Sequence, residues 1–243
     1  MPKTFFIDLT KCTACRGCQV ACKQWNKLPA EKTAQRGTHQ NPADVSVHTY
    51  KLVRFSEKVV GGKVKFVFFP EQCRHCLIAP CKEVGDGFAQ DAITQDAKTG
   101  AVVFTAGTAA FTDAQKQEVQ EACPYNIPRY EKGKKEPMAK CTMCFDRLAE
   151  GMQPACVKSC PTGTMNFGER DAMLDLAKKR LAEVKKGNAK AQLLNPDDVS
   201  VIYLVEDDPA FYHKFAVADA SAPGPMNRKQ FFAKVFAPVR SLA

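Results

Sequence analysis

Residues 12–22 read CTACRGCQVAC, with cysteines separated by two, two and three residues. Three cysteines at two-residue intervals fit on one tight loop that can wrap three corners of a cubane. The fourth, Cys22, falls where a helix should begin and is expected to point the other way. A C-x2-C-x2-C-x3-C run of this kind is the bacterial [4Fe–4S] run, in which the fourth thiolate serves the other cluster of a pair.

Working outward, eight more cysteines fall into related groups. Cys73, Cys76 and Cys81 form C-x2-C-x4-C, and Cys123 stands alone before Pro124. Cys141, Cys144, Cys156 and Cys160 form C-x2-C-x11-C-x3-C, followed by Pro161. The crossover rule gives the first cluster Cys12, Cys15, Cys18 and Cys160, and the second Cys22, Cys141, Cys144 and Cys156. Cys73, Cys76, Cys81 and Cys123 are left for a third. The twelve cysteines are thereby used up.

A fourth cluster is missing in a self-consistent way. Counting back from Cys123 with the first spacing reaches Asp113, Lys116 and Val119, and four residues past Cys81 stands Gly85. Under the crossover rule those four positions would serve one cluster, so the vacancies coincide. Disulfides suit the pattern poorly, because two-residue loops make weak staples. Three zinc sites of four thiolates would also use C-x2-C pairs, but the four-cysteine run and the prolines after Cys123 and Cys160 favour iron–sulfur.

The formal charge of the 243-residue chain is +9, which could suggest a nucleic-acid partner. An oxidised cluster with four thiolates carries a net negative charge, so three of them bring the loaded protein to about +3. With no aromatic-interleaved basic motif, nucleic acid is not expected as a partner. No run of 18 apolar residues occurs, so no membrane-spanning helix is expected. The opening MPKTFFIDLTKC lacks a basic stretch followed by an apolar core, so no export signal is expected within it.

The expected fold class is α+β: two ferredoxin-like iron–sulfur lobes, one inserted in the other, with β-hairpin insertions and a C-terminal extension. The first lobe takes residues 1–50 and 132–170 and holds two clusters. The inserted lobe takes 51–131 and holds one. Residues 171–243 form a helical and docking extension. Thr49–Pro70 reads as a hairpin around Gly61–Gly62, and 91–104 as a shorter one turning near Lys98–Gly100. Thr112–Ala122 reads as a helix capped by Thr112 or Asp113, on the ground of the missing cluster. Glu169–Lys186 is a helix by the spacing of Leu174, Ala177, Leu181 and Val184, stopped by Gly187. Val199–Val205 reads as a strand, and FFAKVFAPV after Pro225 as a docking or covering segment. His75 is expected to pack or hydrogen-bond beside a cluster and Trp25 to shield one. Lys23, Lys82 and Lys140 each adjoin a ligand, where they either tune a potential or are solvated.

CTACRGCQVACKQWN (12–26), CRHCLIAPC (73–81), CPYNIPRY (123–130) and CPTGTMNFGERDAM (160–173) resemble the iron–sulfur subunits of the molybdenum/tungsten bis-pterin oxidoreductases, from about residue 3 to 175. Most members of that family carry four clusters. Three clusters, with WN after the first motif, most resemble the small (beta) subunit of the soluble tungsten or molybdenum formate dehydrogenases of sulfate-reducing bacteria.

The resemblance implies an electron-transfer subunit that performs no bond chemistry. It implies a heterodimer with a large catalytic W/Mo-pterin subunit, which holds the bis-pterin and a further [4Fe–4S] cluster. The fourth cluster and the C-terminal membrane helix of membrane-bound relatives are both lacking, which implies a soluble acceptor such as a multihaem cytochrome c. A periplasmic complex, exported folded on the partner's twin-arginine signal, is implied too, with a cytoplasmic one as the alternative. A subunit of another molybdopterin reductase and a free-standing polyferredoxin are the other readings.

Overall fold

The computed structural model describes residues 2–218. The docking or covering segment expected after Pro225 lies outside them. In chain order the elements are β1 (Lys3–Asp8), α1 (Gly17–Trp25), β2 (Leu52–Val60), β3 (Lys63–Glu71), α2 (Pro80–Asp86), β4 (Ile93–Gln95), β5 (Val102–Phe104), α3 (Asp113–Glu121), α4 (Phe145–Ala149), α5 (Ala155–Lys158), β6 (Met165–Glu169), α6 (Arg170–Lys185), β7 (Gln192–Leu194), β8 (Val201–Val205) and α7 (Pro209–Tyr212). The architecture is mixed α/β with small sheets.

Both hairpins form where turn chemistry places them. Val60 pairs with Lys63 across Gly61 and Gly62, whose φ values of +57° and +74° are those a tight two-residue hairpin turn needs. β4 and β5 pair from Ile93↔Phe104 to Gln95↔Val102. Their turn is closed by Asp96, whose carboxylate accepts from the Thr99 N–H at 2.7 Å. α3 starts with a capping box: the Thr112 hydroxyl accepts from Gln115 N–H at 3.3 Å, and Gln115 Oε1 accepts from Thr112 N–H at 2.8 Å.

The main sheet has the order β6-β1-β8-β7. β1 runs antiparallel to β6, with Phe5 opposite Phe167, and parallel to β8, with Phe5 opposite Val201. β8 is the strand expected at 199–205. Its five residues are all buried, as a continuous apolar run in a central position should be. β1, β6 and β7 are short and carry mixed patterns, and the sequence reading did not find them. α6 covers one face of the sheet, packing Ala177, Leu181 and Val184 around Phe6 and Leu204. Arg180 Nε on α6 donates to the fully buried Asp8 at the end of β1 at 2.9 Å, clipping helix to strand. The other face presents Phe5, Ile7, Val201 and Tyr203 to a core that also contains Cys18 and Cys156. Burying each such aromatic or aliphatic side chain contributes ~1.5–3 kcal/mol. The sheet is thus the wall against which the cysteine groups are set. No helix among the described residues is long and apolar enough to cross a membrane.

The four positions where the sequence spacing would set a further group of cysteines carry residues with packing roles of their own. Lys116 is buried, and its ammonium donates to the carbonyls of Lys134 and Glu136 at 3.0 and 2.9 Å. Val119 is fully buried, and Asp113 accepts from the Gly133 N–H at 2.8 Å. At Gly85 an added Cβ would meet Ile93 Cδ1 at 2.6 Å, and Ile93 is itself fully buried. Gly85→Ala is therefore expected to lower stability by about 1–3 kcal/mol through overpacking. Thermal unfolding of the variant checks this, and an unchanged melting temperature would show that Ile93 yields freely.

Candidate metal centres

The structure gathers the twelve cysteines into three groups of four. Cys12, Cys15, Cys18 and Cys160 line one cavity. Its loop is tight: Ala14 and Arg16 adopt φ of +54° and +63°. Cys73, Cys76, Cys81 and Cys123 line a second cavity. Cys22, Cys141, Cys144 and Cys156 form the remaining group, in which the Cys22 thiol feels the other three. A left-handed turn at Met143 and Cys144 shapes that loop, at φ +62° and +53°.

The crossover has a simple helical origin. Cys18 and Cys22 lie four residues apart on α1, so both fall on one face, one turn (~5.4 Å) apart. Cys156 on α5 and Cys160 just beyond it repeat the arrangement, and α5 packs on α1. Cys22 is therefore not turned away from its motif, as the loop argument expected, but carried one turn along the seam between two groups.

The electrostatics of these thiols follow from burial. Desolvation first, then neighbouring thiols, push Cys141 and Cys156 up to about 12 and hold Cys22 and Cys76 well above the usual thiol range. Burial raises Cys12 and Cys123 to about 11, against opposing backbone N–H groups. Burial raises Cys81 as well, with Lys140 opposing. Cys160 is the exception. Burial would raise it, but the N–H groups of Met165, Thr162 and Thr164 and the Thr162 hydroxyl outweigh that and leave it below the ordinary value. The groups are also neighbours. Cys156 feels Cys18 of the first group, and Cys141 feels Cys73 of the third. The group built on Cys22 thus lies between the other two.

The donor sets fit a polynuclear cluster. Each is four thiols. Four thiolates around one cavity are the donor set of a [4Fe–4S] cluster. Buried donors around Cys73 lack partners among the described residues: Gln72 Nε2, Arg74 Nη2 and His75 Nε2. Arg74 lines the Cys73 cavity, where an anionic sulfur-rich group would satisfy it.

Several neighbours stand out. His75 is fully buried and accepts from the Val102 N–H through Nδ1 at 3.1 Å; burial and then Lys140 hold it neutral, with its pKa well below the usual range. Trp25 is half-exposed, donates to Asp146 at 2.8 Å, and carries the Arg147 guanidinium 4.1 Å from its ring centre. Lys23 and Lys82 are part-exposed and paired with Glu31 (3.5 Å) and Asp86 (2.6 Å), and Lys23 also donates to the His48 carbonyl at 2.8 Å. Lys140 is buried.

Two buried cations escaped the sequence reading. Arg74 lies 4.5–5.1 Å from the ring centres of Phe69, Tyr125 and Tyr203 and lines the third group's cavity. Lys51 is bound to Gln72 Oε1 and, at 3.5 Å, to the Pro70 carbonyl. Burial would lower the Lys51 pKa, but the thiols of Cys156 and Cys18, with Tyr203 and Cys141, outweigh it and hold it above the ordinary value. A lysine just before a strand carries no local mark of burial.

Four-cysteine cradles in this mixed α/β setting define a protein of the [4Fe–4S] class, and the 4Fe-4S dicluster domain family matches residues 64–170. Formate dehydrogenase 2 subunit beta (cytochrome c-553) of Nitratidesulfovibrio vulgaris is 54% identical over 217 residues, covering 89% of this chain and 99% of that one. Formate dehydrogenase subunit beta of Megalodesulfovibrio gigas is 51% identical over 218 residues, covering 90% and 100%. The nitrate-inducible formate dehydrogenase iron-sulfur subunit of Escherichia coli is 35% identical over 219 residues, covering 85% of this chain and 70% of its own. The chain belongs to the family of formate dehydrogenase beta, or iron–sulfur, subunits: electron-transfer components of an oxidoreductase complex that are not its catalytic part.

Proposed function

We propose that this subunit carries three [4Fe–4S] clusters and conducts electrons from a catalytic W/Mo-pterin formate dehydrogenase subunit, its partner in a heterodimer, to a soluble cytochrome c. The observation that carries the reading is the separation of the cysteines into three groups of four, set side by side with the Cys22 group in the middle. Cys12, Cys15, Cys18 and Cys160 would hold one cluster, Cys22, Cys141, Cys144 and Cys156 the second, and Cys73, Cys76, Cys81 and Cys123 the third. Bound clusters supply reversible one-electron exchange at potentials set by charge, hydrogen bonds and burial.

The chain's own residues do the rest. β1, β8 and the β2–β3 hairpin hold the thiols against a dry core. The His75 and Met143 N–H groups, each 3.4 Å from a thiol sulfur, would steady Cys73 and Cys141 as thiolates. In this reading residues 1–50 with 132–170 make a ferredoxin-like lobe with two clusters. Residues 51–131 make the inserted lobe with one, and 171–243 the extension. A relative whose name includes cytochrome c-553 supports a cytochrome acceptor. We place the complex in the periplasm, exported folded with its catalytic partner.

Purification of the native complex with metal analysis tests the reading. It predicts roughly twelve irons in this subunit, beyond those of the catalytic subunit, and formate-dependent reduction of cytochrome c. Purification as a lone chain, without a pterin-containing partner, would instead make it a free-standing carrier.

A further inference from the structure

Ion pairs elsewhere in the molecule follow the usual rule. The partly buried Arg54 meets Glu71 and Asp44, and Lys65 meets Asp207 at 2.7 Å. Three buried lysines break it: Lys116, held by the carbonyls of Lys134 and Glu136 away from the thiols, and Lys51 and Lys140, which lie beside them. Among the described residues none of the three has a carboxylate within ion-pair distance. Lys51 is met only by the Gln72 amide oxygen and the Pro70 carbonyl. Among the described residues Lys140 is met by the carbonyls of Val102 and, at 3.0 Å, Cys141, and lies 4.9 Å from the Phe104 ring centre. An ammonium buried among neutral oxygens is costly unless a negative group lies nearby.

The places of Lys51 and Lys140 in the fold say where that charge would be. Pro70, which holds Lys51, lines the cavity of the Cys12 group, and Lys51 also acts on Cys22 and Cys156 of the middle group. Lys140 lines the cavity of the Cys73 group, while its ammonium is bonded to the carbonyl of Cys141 in the middle group. Each lysine therefore stands at one of the two junctions between neighbouring groups. A hydrogen-bonded path joins the two regions. Tyr203 donates to the Pro70 carbonyl at 2.9 Å and accepts from Arg74 at 3.2 Å, and Arg74 lines the cavity beside Lys140.

We propose that Lys51 and Lys140 are positioning residues for electron transfer: two buried ammonium groups, one at each junction, that balance the negative charge of the loaded thiolate sites and raise their reduction potentials. This rests on the three-cluster reading above. A positive charge at a junction stabilises the added electron on either side of it, which favours passage along the row. Lys23 and Lys82, part-exposed and each paired with a carboxylate, lack this leverage.

The test uses the purified holo-complex. Iron is counted first, and each cluster signal is then followed by EPR during potentiometric titration, with signals assigned from single cysteine variants. Lys51→Met is expected to lower the potentials of the Cys12 and Cys22 sites, with about a tenfold fall in the reduction equilibrium, or ~59 mV for a one-electron couple. Lys140→Met is expected to do the same at the Cys22 and Cys73 sites and leave the Cys12 site alone. Lys51→Arg and Lys140→Arg should keep wild-type potentials, as should Lys178→Met on the exposed side of α6.

A fully loaded Lys51→Met complex with wild-type potentials overturns the proposal. Where Lys51→Met loses iron, full loading of Lys51→Arg supports a need for charge, and loss in both variants overturns it in favour of packing. A wild-type iron count short of three clusters overturns the underlying reading instead, and is seen before any variant is titrated.

Discussion

Cys22→Ser is expected to remove the same cluster as Cys141→Ser, although Cys22 shares its motif with Cys12, Cys15 and Cys18 and lies far along the chain from Cys141. Both variants should fall from roughly twelve irons to roughly eight in this subunit and lose the same EPR signal. Cys12→Ser should lose a different one. The reason is the one-turn offset along α1. Cys18 faces the first group, and Cys22, a turn further, joins Cys141, Cys144 and Cys156. The result that sinks the pairing is a Cys22→Ser spectrum that matches Cys12→Ser, which would mean that each motif closes its own cluster. A group short of one thiolate no longer holds all four corners of a cluster, so its iron is easily lost. Iron content is therefore best read on freshly purified anaerobic complex.

Cys73→Ser should be equally severe in iron and more selective in function. All four members of its group lie between residues 73 and 123, so the other two groups keep their ligands. The variant is expected to hold roughly eight irons in this subunit. It should retain formate-dependent dye reduction at the catalytic subunit and lose about tenfold or more of the electron flow to the protein acceptor, equivalent to ~1.4 kcal/mol or more at the barrier. Iron content that stayed near twelve would falsify the ligand assignment. Unchanged cytochrome reduction with the cluster gone would place the electron exit at another group.

The legible parts of this molecule share a property: their determinants lie close together in the chain. The two hairpins were written in Gly61–Gly62 and in the turn around Lys98–Gly100, because left-handed φ values and side-chain closures are local demands. α3 was written in Thr112 and Gln115, and α6 in its apolar spacing. The lack of a fourth cysteine set was legible in Asp113, Lys116, Val119 and Gly85. What packs at those positions was not, since Ile93 and the carbonyls of residues 134 and 136 reach them from other segments.

The sequence by itself determined how many thiols there are, how they are grouped, and which family's motifs they spell, because ligand spacing on a loop or a helical turn is set by a few residues of backbone geometry. Only the tertiary structure decided that the Cys22 group lies between the other two and that β8 comes to lie beside β1. It also decided that, among the lysines beside the cysteines, Lys140 is buried while Lys23 and Lys82 stay part-exposed and pair with carboxylates, and that Lys51, remote from every motif, is buried against Pro70 and Gln72. Burial of a charge depends on what distant segments pack over it, and no pattern within a few residues of a lysine records that.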